Sequence, residues 1–204
     1  MTQFYFVRHG ETRTNSEGRF NGATVDTPLT TEGIAKTILL GENLKSVEFS
    51  EVYASPLSRA LETAHLLMEN NSKPREIIIK EELREMDLGS WDGTIVSTNQ
   101  NHPQFDNYFH HPEIFDPSSI GGETYTHLIQ RGQRVLQQIY NKNENNNVLI
   151  VSHGIFLMSV MKYLLGESIS EIRNTPMISN CSLTILETRN GQIYKKIQWN
   201  KTFD

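Results

Sequence analysis

The sequence predicts an α/β protein with a doubly wound, mostly parallel central sheet, helices on both faces and an antiparallel hairpin at the C-terminal edge. Short apolar runs alternate with longer periodic ones, which is typical of strands separated by crossover helices. The first four short runs are continuously apolar, as expected for strands covered on both faces. The last two runs flank Arg189–Gln192, whose central Asn-Gly pair indicates a tight hairpin.

Six strands follow from these runs. They are predicted at Phe4–Val7, Val52–Ala54, Ile77–Ile79, Val148–Val151, Leu183–Glu187 and Tyr194–Trp199. The first four should be buried and parallel, because crossover connections lie between them. The last two should pair with each other at the edge of the sheet.

The first long helix is predicted after residue 29. Thr30 is a suitable N-cap, because its hydroxyl can accept a hydrogen bond from a free backbone N–H group. Ile34, Ile38 and Leu44 recur at helical spacing and are expected to form the buried apolar stripe.

Three further helices complete the pattern. Ser55 and Pro56 are expected at the N-cap and first position of the second helix, where proline loses no hydrogen bond. Thr124–Tyr140 carries apolar residues at helical spacing. Phe156–Leu165 is almost wholly apolar and should be buried.

The periodic pattern weakens between Gly89 and Gly122, where prolines and aromatic residues are frequent. We interpret residues of about 90–122 as an irregular insertion near the top of the sheet and as a candidate lid. A chain of 204 residues is otherwise the right length for a single domain spanning 1–204.

Composition excludes several classes of function. The net charge of −5, with no basic stripe, argues against nucleic acid as a partner. No apolar run approaches the length of a membrane span, and residues 1–20 lack the build of a signal peptide. Cys181 cannot form an internal disulfide and is expected in the core. A cytoplasmic location is expected, and the oligomeric state is left open.

Polar residues that could take part in a reaction follow three of the buried strands. Arg8 and His9 follow the first strand, Arg59 begins the helix after the second, and His153 follows the fourth. Ligands of parallel sheets bind beyond the carboxyl ends of the strands, so these side chains should converge. Two helix N-termini should point at the same place and add unpaired N–H groups. The sequence therefore predicts an anion site, and guanidinium groups favour phosphate.

Five ordered segments, "RHGETRTN", "SPLSRALETA", "LREMDLGSWDG", "GGETY" and "VSHG", carry these residues. Together they resemble the histidine phosphatase superfamily in its phosphoglycerate-mutase-like branch. The resemblance implies that His9 is the nucleophile, forming a phosphohistidine, and that Glu85 donates the proton to the leaving group. It implies no cofactor and no metal.

The resemblance also implies a set of residues that contact the phosphorylated substrate. Asn21 departs from the pattern, because many relatives have glutamine at this position. Counting Glu85, the expected substrate-binding residues are Arg8, Asn15, Asn21, Gly22, Arg59, Glu85, His153 and Gly154.

The chemistry requires these residue types. Phosphoryl transfer depends mainly on positioning and on stabilisation of charge. Neighbouring cations keep the imidazole of His9 neutral and nucleophilic, and they stabilise the equatorial phosphate oxygens. A carboxylic acid can protonate the leaving oxygen and then activate water. The catalytic set expected from this scheme is His9, Glu85, Arg8, Arg59 and His153.

We expect a phosphatase that takes a small phosphorylated metabolite and releases inorganic phosphate. Gly93–Gly122 contains no lysine or arginine, whereas a mutase site for a bisphosphate needs cations. This composition favours an apolar or neutral leaving group. A cofactor-dependent phosphoglycerate mutase and a non-catalytic phospho-ligand-binding module are the alternatives. Broad-specificity and α-ribazole phosphatases of the family are equally similar.

Other titratable residues compete for roles in the site. Glu81 and Glu82 are alternative carboxylates near Glu85, and we expect them to be solvated. The insertion carries three histidines that could suggest a metal site, but no cysteine or helical histidine spacing accompanies them. We therefore predict no metal.

Overall fold

The computed structural model of the protein describes residues 1–203. One six-stranded sheet has the order β3-β2-β4-β1-β5-β6. Its strands are β1 (Thr2–Arg8), β2 (Glu51–Ala54), β3 (Ile77–Ile79), β4 (Asn147–Ser152), β5 (Leu183–Thr188) and β6 (Tyr194–Lys201). β1, β2, β3 and β4 pair in parallel, while β5 is antiparallel to β1 and β6 is antiparallel to β5. The predicted fold class is confirmed.

Helices lie on both faces of this sheet. They are α1 (Arg13–Ser16), α2 (Thr31–Leu44), α3 (Ser58–Glu69), α4 (Phe105–His110), α5 (Tyr125–Lys142) and α6 (Gly154–Leu164). Alternate side chains of β1 enter two apolar clusters, because successive residues of a strand point to opposite faces. Phe4 and Phe6 pack in one cluster with α5 and α6, while Val7 packs in the other with α2 and α3. Within residues 1–203, no helix is long and apolar enough to cross a membrane.

The predicted C-terminal hairpin is confirmed, with residues 189–193 forming the loop between β5 and β6. Gly191 adopts a φ of +70°, a left-handed conformation that glycine reaches without steric cost. The prediction for β3 was half right. Its bounds are Ile77–Ile79, but Ile79 is 53% exposed. β3 lies at the edge of the sheet, so its side chains are not covered on both faces.

The cap of α2 is confirmed, but its predicted stripe was only partly right. The Thr30 hydroxyl accepts a hydrogen bond from the backbone N–H of Gly33 at 3.0 Å. The buried face includes Leu40 and Leu44, whereas Ile38 is 36% exposed. Ile38 lies off the buried face of α2, which also contains the small residues Gly33, Thr37 and Gly41.

The predicted start of α3 was also wrong. The helix begins at Ser58, and its N-cap is Leu57, which makes no side-chain cap. Asp26 replaces the missing cap, because its carboxylate accepts the backbone N–H of Ser58 at 2.6 Å. The Ser55 hydroxyl instead lies 2.7 Å from Nε2 of His153.

The segment 90–122 consists of short helical pieces. Besides α4, it contains single turns of 3-10 helix at Gly89–Trp91, Val96–Asn99 and Pro112–Ile114, and two further turns lie outside it at Glu81–Leu83 and Ile169–Glu171. Trp91, Tyr108, Phe115 and Ile120 are buried in the same apolar cluster as Phe6. The aromatic residues therefore anchor this segment to the core beside the carboxyl ends of the strands.

Candidate active site

His9 lies directly after β1 and is only 2% exposed. Its backbone N–H donates to the carbonyl of Ser152, which ties the end of β1 to β4. The ring Nδ1 lies 2.7 Å from the carbonyl of Gly10. A carbonyl can only accept, so Nδ1 carries the proton and Nε2 carries the lone pair. This is the tautomer that a nucleophilic Nε2 requires.

The surroundings of His9 disfavour its protonation. Burial is the largest effect that lowers the pKa of His9 well below its ordinary value, and the charges of Arg59 and Arg8 lower it further. The hydrogen bond to Gly10 acts in the opposite direction but does not outweigh them. His9 is therefore a neutral imidazole near pH 7.

His153 is the N-cap residue of α6 and faces His9, with ring centroids 5.1 Å apart. Nε of Arg59 donates to its Nδ1 at 3.3 Å, so that nitrogen is unprotonated. Its Nε2 then donates to the Ser55 hydroxyl at 2.7 Å. Burial first, and then the charge of Arg59, lower the pKa of His153 well below its ordinary value. His153 is thus held as a neutral, oriented ring.

Arg59 is fully buried and organises the loop of residues 21–26. Its Nη2 donates to the carbonyls of Gly22 at 2.8 Å and Asn21 at 3.3 Å, and its Nη1 donates to the carbonyl of Val25. Asp26 lies 3.5 Å from Nη1. Arg59 therefore joins this loop to His153 while leaving its positive charge beside His9.

Arg8 ends β1 and projects into a cavity. Its Nη1 donates to the carbonyl of Ile178 at 2.6 Å, but its buried Nε has no hydrogen-bond partner. Such a donor is suited to a ligand oxygen, because a buried unpaired N–H is costly. Gly154 provides the room, since a Cβ there would lie 3.1 Å from Nε of Arg8.

Glu85 is 6% exposed and its carboxylate accepts three backbone N–H groups. Those of Met86 and Phe156 donate to Oε1 at 2.8 Å each, and that of Ile155 donates to Oε2 at 3.0 Å. These bonds lower the pKa of Glu85, but burial is the larger effect and the net pKa is raised. Glu85 is therefore easier to protonate than an ordinary glutamate.

The expectation that two helix N-termini present unpaired N–H groups to the anion was wrong. The N–H groups of Ile155 and Phe156 in α6 bind Glu85, and those of Ser58 and Arg59 in α3 bind Asp26. Carboxylates occupy these positions because they complement the positive end of the helix dipole. The helix termini consequently position acidic side chains.

Asn15 and Asn21 lie on the wall of the cavity. Oδ1 of Asn15 accepts from the hydroxyl of Thr12 at 3.0 Å, and Nδ2 of Asn21 donates to the same hydroxyl at 3.0 Å. The buried Oδ1 of Asn21 has no partner among residues 1–203. Gly22 instead packs against Asp92 and, unlike the two asparagines, is not on the cavity wall.

The cavity has a volume of about 180 Å³, smaller than the ~300–1,000 Å³ of most sites for drug-sized ligands. Arg8, Asn15, Asn21, Glu85 and Gly154 form its polar side. Its other wall was not foreseen from the sequence and is made by Arg19, Phe20, Met86, Leu88, Val96, Tyr108, Phe109, Ile155, Arg173 and Met177.

The cations on that wall come from outside the insertion. Arg19 lies in the loop after α1, and Arg173 follows the turn Ile169–Glu171. Counting lysines and arginines within Gly93–Gly122 could not reveal them, because the wall is assembled from distant segments. Neither arginine follows a strand, which was the signal used to find the other site residues.

The remaining candidate residues lie elsewhere. Glu81 is exposed and accepts a hydrogen bond from Arg84 at 2.7 Å. His110 and His111 are exposed beside Asp106. Over the described residues, no three His, Cys, Asp or Glu side chains are grouped closely enough to hold a metal ion. Cys181 is buried, as expected, and its burial raises the pKa of the thiol.

Comparison with known proteins is consistent with this arrangement. The family model of the histidine phosphatase superfamily (branch 1) matches residues 4–202. The solved structure of Bacillus stearothermophilus YhfR is 32% identical, with a TM-score of 0.91 over 100% of this chain and 98% of that chain. The probable phosphoglycerate mutase GpmB of Proteus mirabilis is 28% identical over 94% of this chain and 87% of its own length.

A third relative has a phosphorylated ligand. The phosphoserine phosphatase of Entamoeba histolytica, solved in complex with 3-phosphoglyceric acid, is 26% identical, with a TM-score of 0.85 over 99% of this chain and 98% of that chain. The match of the family model covers nearly the whole chain, including every strand-end residue considered above. The chain therefore belongs to the histidine phosphatase superfamily (branch 1).

Proposed function

We propose that the protein is a phosphomonoesterase that hydrolyses a small-molecule phosphate ester through a phosphohistidine on His9. One observation carries the proposal: a neutral His9 with a free Nε2 lone pair directly follows Arg8, and Glu85, whose pKa is raised, lines the same cavity as Arg8. The neutral imidazole of His9 can act as a nucleophile, and the raised pKa of Glu85 makes its carboxyl group easier to protonate as a donor. Membership of a superfamily with phosphatase relatives supports the same reaction class.

In the first step, Nε2 of His9 attacks phosphorus and the bond from phosphorus to the ester oxygen breaks. Glu85 transfers its proton to that oxygen, so the product leaves as a neutral alcohol. The guanidinium groups of Arg8 and Arg59 stabilise the charge on the equatorial oxygens. Nδ1 of His9 keeps its proton and its hydrogen bond to Gly10, which stabilises the positive charge that develops on the ring.

In the second step, the ionised Glu85 accepts a proton from water while the water oxygen attacks phosphorus. The bond from phosphorus to Nε2 breaks, and its electron pair returns to the ring. Inorganic phosphate leaves, His9 is again neutral and Glu85 is again protonated. Asn15, Asn21, His153 and Gly154 are assigned to binding and orienting the phosphate. Gly22 is assigned an indirect part, since its carbonyl binds Arg59.

Hydrolysis of p-nitrophenyl phosphate tests this mechanism. His9→Ala should abolish turnover, while His65→Ala, at an exposed histidine of α3, should retain it. Rapid quenching with radiolabelled substrate should trap an acid-labile phosphoenzyme in the His65→Ala variant and not in His9→Ala. Equal phosphate release by both variants would exclude the phosphohistidine.

A phosphoglycerate mutase is the second candidate. The relative from Proteus mirabilis carries that name, and Arg19 and Arg173 supply cations near the cavity that a second phosphate or a carboxylate would need. Priming with 2,3-bisphosphoglycerate and following conversion of 3-phosphoglycerate to its 2-isomer distinguishes the two functions. Isomerisation faster than phosphate release would establish the mutase. A phospho-ligand-binding module without catalysis would show neither reaction.

A further inference from the structure

Arg173 is a cation of the cavity wall that packs against two aromatic rings. Its guanidinium carbon lies 5.1 Å from the ring centroid of Tyr108 and 5.2 Å from that of Phe109. Within residues 1–203 its guanidinium forms no hydrogen bond and no ion pair. Aromatic faces attract a guanidinium but do not use its N–H groups, so its donors stay available.

Arg19 lines the same cavity and provides the contrast. Its Nε donates to Glu17 at 2.7 Å, and its Nη1 donates to the carbonyl of Gly93 at 2.9 Å. These contacts give Arg19 a structural role in joining the loop after α1 to the insertion. Arg173 makes no comparable contact, so its charge is the one that a ligand can use.

The position of Arg173 relates it to the leaving group. Glu85 protonates the ester oxygen, so the leaving group must extend from Glu85 into the rest of the cavity. That part is walled by Phe20, Tyr108 and Phe109 and contains Arg173. Arg8, Glu85 and Arg173 all line this cavity together with Tyr108.

We propose that Arg173 forms a second anion subsite, which binds a carboxylate on the leaving group of the substrate. The preferred substrates are then phosphate monoesters of small hydroxy acids. This inference rests on the proposed phosphomonoesterase activity. A leaving group with a carboxylate replaces the apolar or neutral leaving group that was expected from the composition of Gly93–Gly122.

Physical chemistry supports a carboxylate over a neutral group. A guanidinium pairs with a carboxylate through two parallel charge-assisted hydrogen bonds. The pair is worth more beside aromatic side chains than in open water, because the local dielectric is lower. The cavity of about 180 Å³ restricts the leaving group to a few carbon atoms. A neutral alcohol of the same size would leave the cation of Arg173 unpaired.

The test compares two esters that differ in one group. 3-Phosphoglycerate carries a carboxylate where glycerol 3-phosphate carries a hydroxymethyl group. The wild-type protein should show the higher kcat/KM for 3-phosphoglycerate. Arg173→Gln should raise KM for that ester by about 10- to 100-fold, the range expected for a lost charged hydrogen bond. Its KM for glycerol 3-phosphate and its inhibition by inorganic phosphate should stay within about twofold of wild type.

Two further variants control the comparison. Arg173→Lys keeps the positive charge but not the planar guanidinium group. It should therefore recover part of the preference for 3-phosphoglycerate. Arg134→Gln removes an exposed arginine of α5 and should leave the preference unchanged. Equal effects of Arg173→Gln on both esters, or no preference in the wild-type protein, would refute the subsite.

Failure of the subsite and failure of the catalytic proposal give different results. If p-nitrophenyl phosphate is hydrolysed through a trapped phosphoenzyme but the two esters are used equally, only the subsite is wrong. If no ester is hydrolysed, calorimetric binding of the same two esters to the wild-type protein still decides the subsite. Tighter binding of 3-phosphoglycerate, lost in Arg173→Gln, would support it, and equal binding would overturn it.

Discussion

Arg131 donates through Nη2 to the backbone carbonyl of Glu85 at 3.1 Å. Nη1 of Arg131 also donates to the carbonyls of Glu82 at 2.6 Å and Arg84 at 2.9 Å. Glu123 accepts from Arg131 at 2.8 and 2.9 Å, so the guanidinium is fixed on both edges. α5 thereby holds the segment that carries the proposed proton donor.

Arg131→Gln should therefore impair protonation of the leaving group. We expect kcat for an alkyl phosphate such as glycerol 3-phosphate to fall by about 10- to 100-fold, since a misplaced group loses much of its catalytic effect. Turnover of p-nitrophenyl phosphate should fall far less, because its leaving group needs little protonation. Arg134→Gln on the same helix is the matched control. A uniform loss on both esters would mean that Arg131 has only a structural role.

Glu85→Gln tests the proton donor itself. The variant should lose about 10²- to 10⁴-fold in kcat on alkyl phosphates, the usual contribution of general acid catalysis. Formation of the phosphoenzyme from p-nitrophenyl phosphate should be less affected, whereas its hydrolysis should slow, because the base for water is also removed. Burst kinetics separate the two steps. An unchanged alkyl phosphatase rate would remove Glu85 from its role.

The pH dependence of kcat/KM should be bell-shaped with a maximum on the acid side of neutral. The rate should fall at low pH as His9 becomes protonated, and this limb lies well below pH 6.5 because the pKa of His9 is lowered. The rate should fall at higher pH as Glu85 ionises, and the raised pKa of Glu85 moves this limb above 4.5. Glu85→Gln should remove the alkaline limb for an alkyl phosphate such as glycerol 3-phosphate.

Stability should also depend on the two buried histidines. His9 and His153 have pKa values below those of the unfolded chain, so the unfolded state binds more protons as the pH falls through about 6.5. Their contribution to stability is complete above that pH and is lost on acidification, by at most about 1.4 kcal/mol per histidine and pH unit. Glu85 contributes with the opposite sign, since its folded pKa is raised and its contribution is lost as pH rises.

Urea denaturation between pH 7.5 and 5.5 measures this effect. The double variant His9→Gln, His153→Gln should lose less stability over this range than the wild-type protein. His65→Gln, which changes an exposed histidine, should behave like wild type. The same loss in all three proteins would show that other groups control the acid sensitivity.

Gly154→Ala should weaken phosphate binding. The added Cβ would lie 3.1 Å from Nε and 3.2 Å from Cζ of Arg8, so the guanidinium must shift. We expect the inhibition constant of inorganic phosphate to rise by about tenfold, the loss of roughly one charged hydrogen bond. Calorimetric titration with phosphate measures the change in affinity, and a thermal unfolding curve shows whether the variant remains folded. Unchanged phosphate affinity would show that Arg8 accommodates the methyl group.

The positions of Arg8, His9 and His153 could be predicted from the sequence. The rule that ligands bind beyond the carboxyl ends of parallel strands depends on short-range features. A continuous apolar run followed by polar residues marks the carboxyl end of a parallel strand, and parallel strands share one edge. The same reasoning gave α3 the wrong cap at Ser55. A hydroxyl near a helix start can serve either as a cap or as an acceptor for a side chain, and local sequence does not distinguish these uses.

The sequence by itself determined the fold class, the order of the strands and helices, and the family, since these depend on periodicity and on ordered local motifs. Tertiary structure alone decided that α6 binds Glu85, that Asp26 caps α3, and that Arg173 lies on the cavity wall. Each of these joins segments far apart in the chain. Such contacts depend on how packed helices, strands and loops are arranged in three dimensions. Local patterns of residue types do not determine this arrangement.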